Sequence, residues 1–568
     1  MEYPSTFKHN YEKPKERQSF FKYWKMNLKR FLLETSLNGL KYVNDKERNI
    51  WERGYYLISF VITFIMGIYM AIYFLNKWQS TPVIISLNSE TTSIADIPFP
   101  TVTFCNMNQA IRSKVEDFPE NSTDYAILQK VCFRDFNFTE YRNYKPRSEY
   151  DTYASFMMKN GQSCAEMLIY CKYGPYEEKC SDLFREILLD EGLCCVFNQI
   201  HPFYLFKGEY KFVRDYTSSN GRTTIPVKWT FEDGYMKPLP KHYYPRTATG
   251  LGVSMGLTVV LNASHDEYFC SSTNGPGFKM LLYNSIDFPH IKEAGIPIDL
   301  GHQTRVRINT RIMSATPALR DIAPKSRQCF FSDEQELLYF KYYTRRNCEL
   351  ECDTRFYLTF CNCIPYHMPM IVANSSFCYL QDLSCLEMAD HFADNEQTKS
   401  CKKECLPGCH DIAFFPDNFA TPFPKHNYLL QDSLFRNISV EMITTNLAQV
   451  SIFYKYNFIR AHVKAPYTGL TEFLSQTGGV LSLMVGFSVI CIAEVFYFGF
   501  VKSFLDIFLR RSPQRLGLSD DDMETPIDIK DTSLDKHHYR FLIKRRKPIH
   551  NRVMVWNTQD MRKFQTKM

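Results

Sequence analysis

The chain has 568 residues, with 45% hydrophobic and 23% charged side chains and a formal net charge of +6. That length accommodates several domains, and the balance marks neither a disordered chain nor one lying wholly in lipid. So small a net charge gives no reason to expect a nucleic-acid partner.

In chain order, the first 53 residues are polar and basic, carrying Lys8, Lys13, Lys15, Arg17, Lys22, Lys25, Lys29 and Arg30. Residues 54–76 then run without a charge and at 1.5 Å per residue cover the ~30 Å hydrocarbon layer. The polar segment before them and the length of the apolar run exclude a signal peptide. A second uncharged run, residues 473–493, continues as apolar sequence past Glu494 to Val501, which places a second span over residues 471–501. The tail at 502–568 is basic again, with Arg510, Arg511 and the run Lys544, Arg545, Arg546 and Lys547. Basic flanks stay cytoplasmic, and two spans bring both termini to the same side, so residues 77–470 are expected outside.

The cysteines and sequons agree with this topology. Of 19 cysteines, 18 lie between Cys105 and Cys409, and the other, Cys491, sits in the second span. An even number outside suits disulfides in an oxidising compartment. The five N-x-S/T sequons, at Asn121, Asn137, Asn262, Asn374 and Asn437, all fall in the same region.

Within the outer region, Val102, Thr103 and Phe104 read as a strand start, and residues 180–189 as a helical patch. Residues 201–250 are aromatic, turn-rich and expected at the surface. Residues 257–261, 278–283, 304–308 and 442–456 read as strands. The block from Cys329 to Cys409 says most. Cys348 and Cys352 share one helix face, as do Cys401, Cys405 and Cys409. Two such rows meeting antiparallel nest their bonds as Cys348–Cys405 and Cys352–Cys401. Cys329 then reaches Cys409, and the inner four pair as Cys361–Cys385 and Cys363–Cys378. Cys105 is assigned to Cys270, and the spacing of Cys132, Cys164, Cys171, Cys180, Cys194 and Cys195 does not fix their partners. A zinc site of Cys361, Cys363, Cys401 and His410 is the rival reading, disfavoured outside the cell. No metal or cofactor is expected. Gly252-Val253-Ser254-Met255-Gly256 matches the hydrolase nucleophile pattern, but β-forming sequence follows where that motif needs a helix. An enzyme is therefore not expected.

The second span carries the chemistry. At 100° per residue Ser475, Gly479, Ser482, Gly486 and Ala493 fall within about 40° of one direction, a small-residue stripe that suits close helix packing or a narrow pore wall. Glu494 is a carboxylate at membrane depth, and a ring of carboxylates favours cations. On an unbroken helix Ser488 points about 160° from Gly486, so both line a pore only if the helix breaks between them. Two spans cannot enclose a polar path, so conduction requires an oligomer.

These residues resemble the degenerin/epithelial sodium channel superfamily, which includes the acid-sensing channels, and within it the insect pickpocket branch. The resemblance runs over residues 31–508. It rests on Phe99-Pro100-Thr101-Val102-Thr103-Phe104-Cys105-Asn106, Gly256-Leu257 with Leu261-Asn262, Arg327-Gln328-Cys329, the spacing Cys348, Cys352, Cys361, Cys363, and Gly486-Phe487-Ser488 followed by Glu494. It implies two transmembrane α-helices flanking a large disulfide-rich α+β extracellular domain, with a β-sheet palm and helical finger and thumb modules, the thumb being the ladder at 329–409. It further implies a homo- or heterotrimer of related subunits in the lipid of the plasma membrane, passing Na+ and blocked by amiloride. The selectivity filter falls on Gly486, Phe487 and Ser488, the degenerin position on Ser475, and a gate-region position on Leu483. Where the family has a His-Gly pair supporting a re-entrant inner pore loop, this chain has Asn38-Gly39. Gln476 stands where acid-sensing channels have an acidic pore-mouth residue, which disfavours proton gating. The alternative from another class is a two-span glycosylated scavenger or adhesion receptor, which would have no need of Gly486, Ser488 and Glu494.

Overall fold

The computed structural model describes residues 27–32, 34–45, 47–80, 82–133, 153–208, 213–214, 225–369, 375–392, 396–426, 433–467, 469–502 and 504–505. Most of the basic N-terminal segment, the tail beyond residue 505 with its cations, and the sequons Asn137 and Asn374 lie outside the described residues. The chain divides into two units, one of Ser36–Gly39 with Arg48–Ser488, the other of Met1–Thr35 and Leu40–Glu47 with Val489–Met568.

The larger unit opens with the uncharged run, which forms the core of a 31-residue helix, Ile50–Ser80. Among the described residues it is the one helix long and apolar enough by itself to cross a membrane; Leu470–Val485 and Val489–Val501 pass the same test only together. Strand Val83–Ser93 leaves the first helix and pairs antiparallel with Phe458–Pro466, which leads into Leu470–Val485. The Tyr467 N–H donates to the Pro82 carbonyl (2.9 Å), and Trp78 stacks on Phe473 with ring centroids 5.1 Å apart. These contacts clamp the two apolar segments side by side where they join the outer domain.

The outer domain is built on two sheets. In the eight-stranded one, Val83–Ser93, Phe458–Pro466, His302–Ala315, Leu447–Tyr454, Leu257–Asn262, Leu168–Tyr173 and Tyr176–Glu177 follow in order, and Asp411–Pro422 pairs with His302–Ala315. The six-stranded sheet runs Ile296–Ile298, Phe278–Tyr283, Thr101–Asn106, Gly192–Phe197, Phe184–Leu189, Val213–Arg214. Their facing side chains form one core, with Leu257, Val259, Val306, Val450 and Ile452 from the first sheet against Val102, Phe104, Phe197, Phe278 and Met280 from the second. The other face of the smaller sheet, through Ile187, Val196, Leu281 and Tyr283, packs on Phe340, Tyr343, Leu350 and Ile364 of the laddered region. Helices Thr123–Cys132 and Tyr153–Asn160 bury a third cluster with Leu380 and Leu383.

Several sequence expectations change here. Residues 442–456 are not one strand: Ser439 caps a helix, Val440–Asn446, by accepting the Met442 N–H, and the strand begins at Leu447. That strand lies inside the sheet, parallel to His302–Ala315, and is buried on both faces. Only Cys180–Leu183 of the patch at 180–189 is helical, because Phe184–Leu189 is taken up by hairpin pairing with Gly192–Phe197. The aromatic stretch at 201–250 is not all surface, since Leu205, Phe206 and Trp229 are core residues. After Gly252 a single 3-10 turn, Val253–Met255, leads into strand Leu257–Asn262, and a Cβ on Gly256 would collide with the Ile452 carbonyl. This glycine serves close strand packing, not a nucleophile elbow.

The cysteine ladder is carried by helix Arg345–Cys361, capped by the Thr344 side chain accepting from the Asn347 N–H and ended by Asn362 at φ +56°, and by helices Leu383–Phe392 and Glu396–Glu404; the expected helical row of Cys401, Cys405 and Cys409 is corrected, since that helix ends at Glu404 and only Cys401 lies on it. The structure joins Cys348 to Cys405, Cys352 to Cys401, Cys329 to Cys409, Cys361 to Cys385 and Cys363 to Cys378. No thiolate of the rival zinc site is left free. The assignment of Cys105 to Cys270 is incorrect. Cys105 lies directly opposite Cys194 across adjacent antiparallel strands, with Cα atoms 4.4 Å apart, and bonds to it. Cys270 sits on strand Tyr268–Ser271, paired with Asn108–Ile111, and bonds to Cys132 at the end of helix Thr123–Cys132. The remaining pairs are Cys164–Cys195 and Cys171–Cys180. Replacing Cys352 by Ser is expected to cost roughly 2–5 kcal/mol and to cut surface delivery severalfold. Surface biotinylation against total protein measures it, and unchanged delivery would mean the hairpin holds without its staples.

Near the ladder, burial pushes the His367 imidazole down to about 4, while the hydrogen bond to Asp190 raises His290. The signs oppose. The depressed His367 contributes stability that is present above pH ~6.5 and lost as pH falls through its folded value. The raised His290 contributes stability below pH ~6.5 that is lost as pH rises through its folded value. The melting temperature of the purified protein is therefore expected to fall between pH 6.5 and pH 4, and His367→Gln to flatten that fall. Equal slopes in thermal scans of the two proteins would contradict it.

Candidate functional site

Helix Leu470–Val485 ends because Gly486 takes the left-handed conformation, φ +71°. Glycine adopts it without the Cβ penalty and so closes helices. The Gly486 N–H still reaches the Ser482 carbonyl (2.8 Å) and the Phe487 N–H reaches back to Leu481 (3.3 Å). Gly486, Phe487 and Ser488 are then non-helical, and the helix resumes at Val489–Phe496, followed by the π-helical turn Tyr497–Val501. Residues 471–501, expected as the second span, thus form two helices around a break rather than one unbroken helix. The break answers the Ser488 difficulty, since the register that put Ser488 opposite Gly486 stops at Val485. For the same reason Ala493 cannot be counted on the stripe of Ser475, Gly479 and Ser482. An interruption frees backbone N–H and C=O groups, and at membrane depth these are tolerated only against protein or a water-filled path.

The loop Ser36–Gly39 lies against the break. The Asn38 N–H donates to the Val485 carbonyl (3.0 Å), and Gly39 turns the chain at φ +81°. A Cβ placed on Gly486 would stand 2.7 Å from Asn38 Nδ2 and 2.8 Å from its Cγ. Asn38 therefore occupies the space that the missing side chain of Gly486 leaves open. Sequence reasoning placed Asn38-Gly39 and Gly486 in one family pattern and did not foresee that they touch.

The rest of helix Leu470–Val485 has two faces. Toward the first helix, a Cβ on Gly67 would meet Leu481 Cδ2 at 3.3 Å and Met484 Cβ at 3.8 Å, and Phe473 stacks on Trp78. Ser475, Gly479 and Ser482 are exposed on the protomer, as is Leu483 at 81%. The small-residue stripe is thus not the surface that packs on the chain's own first helix; Gly67 supplies the close approach there.

In the smaller unit, Glu494 is half-buried and accepts a hydrogen bond from Thr35 Oγ1 (3.5 Å). Phe31 packs on Phe498 with ring centroids 6.0 Å apart, and the Cys491 thiol is free of disulfides and buried. Thr35 was missed by sequence reasoning, and nothing local distinguishes it from neighbouring polar residues. Of the described sequons, Asn121 and Asn437 are exposed; Asn262 is half-buried and its Oδ1 accepts the Ser264 N–H (3.0 Å).

The structure thus joins a disulfide-laddered domain to one helix long and apolar enough to cross a membrane and to a second apolar helix that ends at Gly486. The family model described as amiloride-sensitive sodium channel matches residues 31–498, and the chain belongs to that family. Pickpocket protein 28 of Drosophila melanogaster is 34% identical over 482 residues, 84% of this chain and 78% of that protein. Sodium channel protein Nach of Drosophila ananassae is 24% identical over 493 residues, 82% of this chain and 85% of its own length. Human acid-sensing ion channel 2 is 23% identical over 425 residues, covering 70% and 72%. The chain is accordingly a sodium channel subunit of this family, whose members are ion channels and not enzymes.

Proposed function

We propose that the chain is one subunit of a trimeric, sodium-selective channel of the plasma membrane, blocked by amiloride and opened by a sensory stimulus, mechanical or chemical. In this reading Ile50–Ser80 and the broken segment Leu470–Val501 are the two spans, and both termini are cytoplasmic. Three copies of Gly486, Phe487 and Ser488 converge as the filter, where an absent side chain lets backbone carbonyls replace part of the ion's water shell. Ser475, Gly479, Ser482 and Leu483 line the path outside it, and Glu494 adds carboxylates that favour cations. The observation that carries the proposal is the helix break at Gly486, held open by a positive-φ glycine and packed by Asn38. A passive membrane anchor gains nothing from such an interruption and bears the cost of unpaired backbone in lipid.

Expression in oocytes tests it. Sodium-dependent inward current, reduced when sodium is replaced by a large organic cation and reduced again by amiloride, is the expected result under at least one of stretch, hypo-osmotic medium or applied ligand. Surface-delivered protein silent under all of these, alone and with related subunits, would favour the receptor reading.

A further inference from the structure

We propose that Cys348, Cys352, Cys401 and Cys405 form a thiol-exchange site in the outer domain, where an external dithiol converts two rungs of the ladder into a single Cys352–Cys405 bond. In the folded protein Cys348 is joined to Cys405 and Cys352 to Cys401. The two rungs are not insulated from each other. Cys348 and Cys352 lie one turn apart on helix Arg345–Cys361, so both turn their sulfurs toward the same neighbour. Cys352 Sγ stands 3.8 Å from Cys405 Sγ, a sulfur of the other rung. The Sγ atoms of Cys348, Cys352 and Cys405 all lie within 4.8 Å of one another.

Burial sets the order of events. Each rung has one half-buried end, Cys348 or Cys401, and one buried end, Cys405 at 3% or Cys352 at 7% exposure. An incoming thiolate therefore reaches Cys401 or Cys348, and the sulfur it displaces is the buried one. Attack on Cys401 releases the Cys352 thiolate, which faces Cys405. Attack on Cys348 releases the Cys405 thiolate, which faces Cys352. By either route the released thiolate attacks the buried sulfur of the other rung, forms Cys352–Cys405 and expels the remaining half-buried cysteine. Closing 3.8 Å to a bond of about 2.0 Å takes a movement of about 2 Å. The second thiol of the reagent then resolves the mixed disulfide. Two protein disulfides and one dithiol thus give one protein disulfide, thiols at Cys348 and Cys401, and one oxidised dithiol. The dithiol supplies the two electrons, and its two protons end on Cys348 and Cys401.

Cations stand beside both half-buried sulfurs. Lys402 and Lys403 directly follow Cys401, and Arg345 and Arg346 precede Cys348 on its helix. Such cations draw in an attacking thiolate and stabilise a departing one. Asp353 pairs with Lys402 and Glu349 with Arg345, each at 2.7 Å, which moderates the effect. Cys329 and Cys409, by contrast, are both fully buried and offer no sulfur to an external thiol. The exchanged form keeps helix Arg345–Cys361 tied to residue 405, one turn further along, and lets go of helix Glu396–Glu404.

The test uses the full-length protein on the surface of cells, treated briefly with dithiothreitol, a small dithiol, and quenched by alkylation. Trypsin and a glutamate-specific protease then separate the four cysteines for mass spectrometry without further reduction. The expected result is a Cys352–Cys405 crosslink that rises at least tenfold over untreated cells, with Cys348 and Cys401 alkylated and Cys329–Cys409 still closed. Alkylation of Cys352 with Cys401, or of Cys348 with Cys405, in the absence of that crosslink overturns the proposal. So does a ladder that stays closed, or one that opens only together with Cys329–Cys409. The double variant Cys348→Ser with Cys401→Ser presents the two buried sulfurs alone. A Cys352–Cys405 bond in its surface-delivered form supports the site, and two free thiols there refute it. Should that variant fail to reach the surface, the mapping of the wild type decides.

Discussion

Gly486→Val is expected to abolish sodium current while the protein still reaches the cell surface. Two costs coincide at this position. At φ +71° an L-residue pays roughly 1–2 kcal/mol, and a β-branched one is a marked outlier. The added Cβ also lands 2.7 Å from Asn38 Nδ2 and 2.8 Å from Cγ, so the loop that seats the break must move. Asn is short, and the Asn38 N–H is already committed to the Val485 carbonyl, so Asn38 has little room to yield. The outer domain is held by its own cores and nine disulfides and should fold regardless. A double substitution separates the two costs. Gly486→Ala alone should lose most of the current, and Asn38→Gly in the same chain should restore part of it by removing the collision while the backbone cost persists. Current normalised to biotinylated surface protein is the measurement. Wild-type current in Gly486→Val would remove the break from the conduction path.

What could be read from the sequence divides along a physical line. Features encoded by local period were legible: the uncharged run of helix Ile50–Ser80, strands Leu257–Asn262 and Phe278–Tyr283, and Cys348 and Cys352 on one face of helix Arg345–Cys361; the second row is helical only at Cys401, because helix Glu396–Glu404 ends before Cys405 and Cys409. Features set by strand register were not. Cys105 meets Cys194 because residues 102–105 pair in order with residues 197–194, and nothing near Cys105 announces that register. Helix Val440–Asn446 is hidden because it is short and its β-branched Ile443, Thr444 and Thr445 suit a strand equally well, so that only the capping Ser439 marks its start locally. The break at Gly486 sits between: glycine and serine in an apolar run signal that an interruption is affordable. Its partner Asn38, whose N–H donates to the Val485 carbonyl, lies more than four hundred residues earlier in the chain.

The Ser475 side chain tests whether the exposed stripe faces a pore. It lies on the same face as Gly479 and Ser482, turned away from the contacts of Phe473 with Trp78 and of Leu481 with Gly67. Packing on the chain's own first helix is therefore not its role, and in the proposed channel it faces lipid or the neighbouring subunits. If three copies crowd an axis in the closed channel, Ser475→Val adds volume that close packing cannot absorb, typically costing ~1–3 kcal/mol. The open state, being wider, bears less of that cost, and the equilibrium shifts toward it. A difference of about 1.4 kcal/mol changes the closed-to-open ratio tenfold. The expected outcome is a severalfold larger resting sodium current, blocked by amiloride, with swelling and death of cells kept in high sodium. Val against lipid would be close to silent, because the apolar surroundings accept a methyl group without strain. Whole-cell current per unit of surface protein distinguishes the two. An unchanged resting current, in a background where the wild type conducts, would turn the stripe toward lipid and withdraw Ser475, Gly479 and Ser482 together from the pore wall.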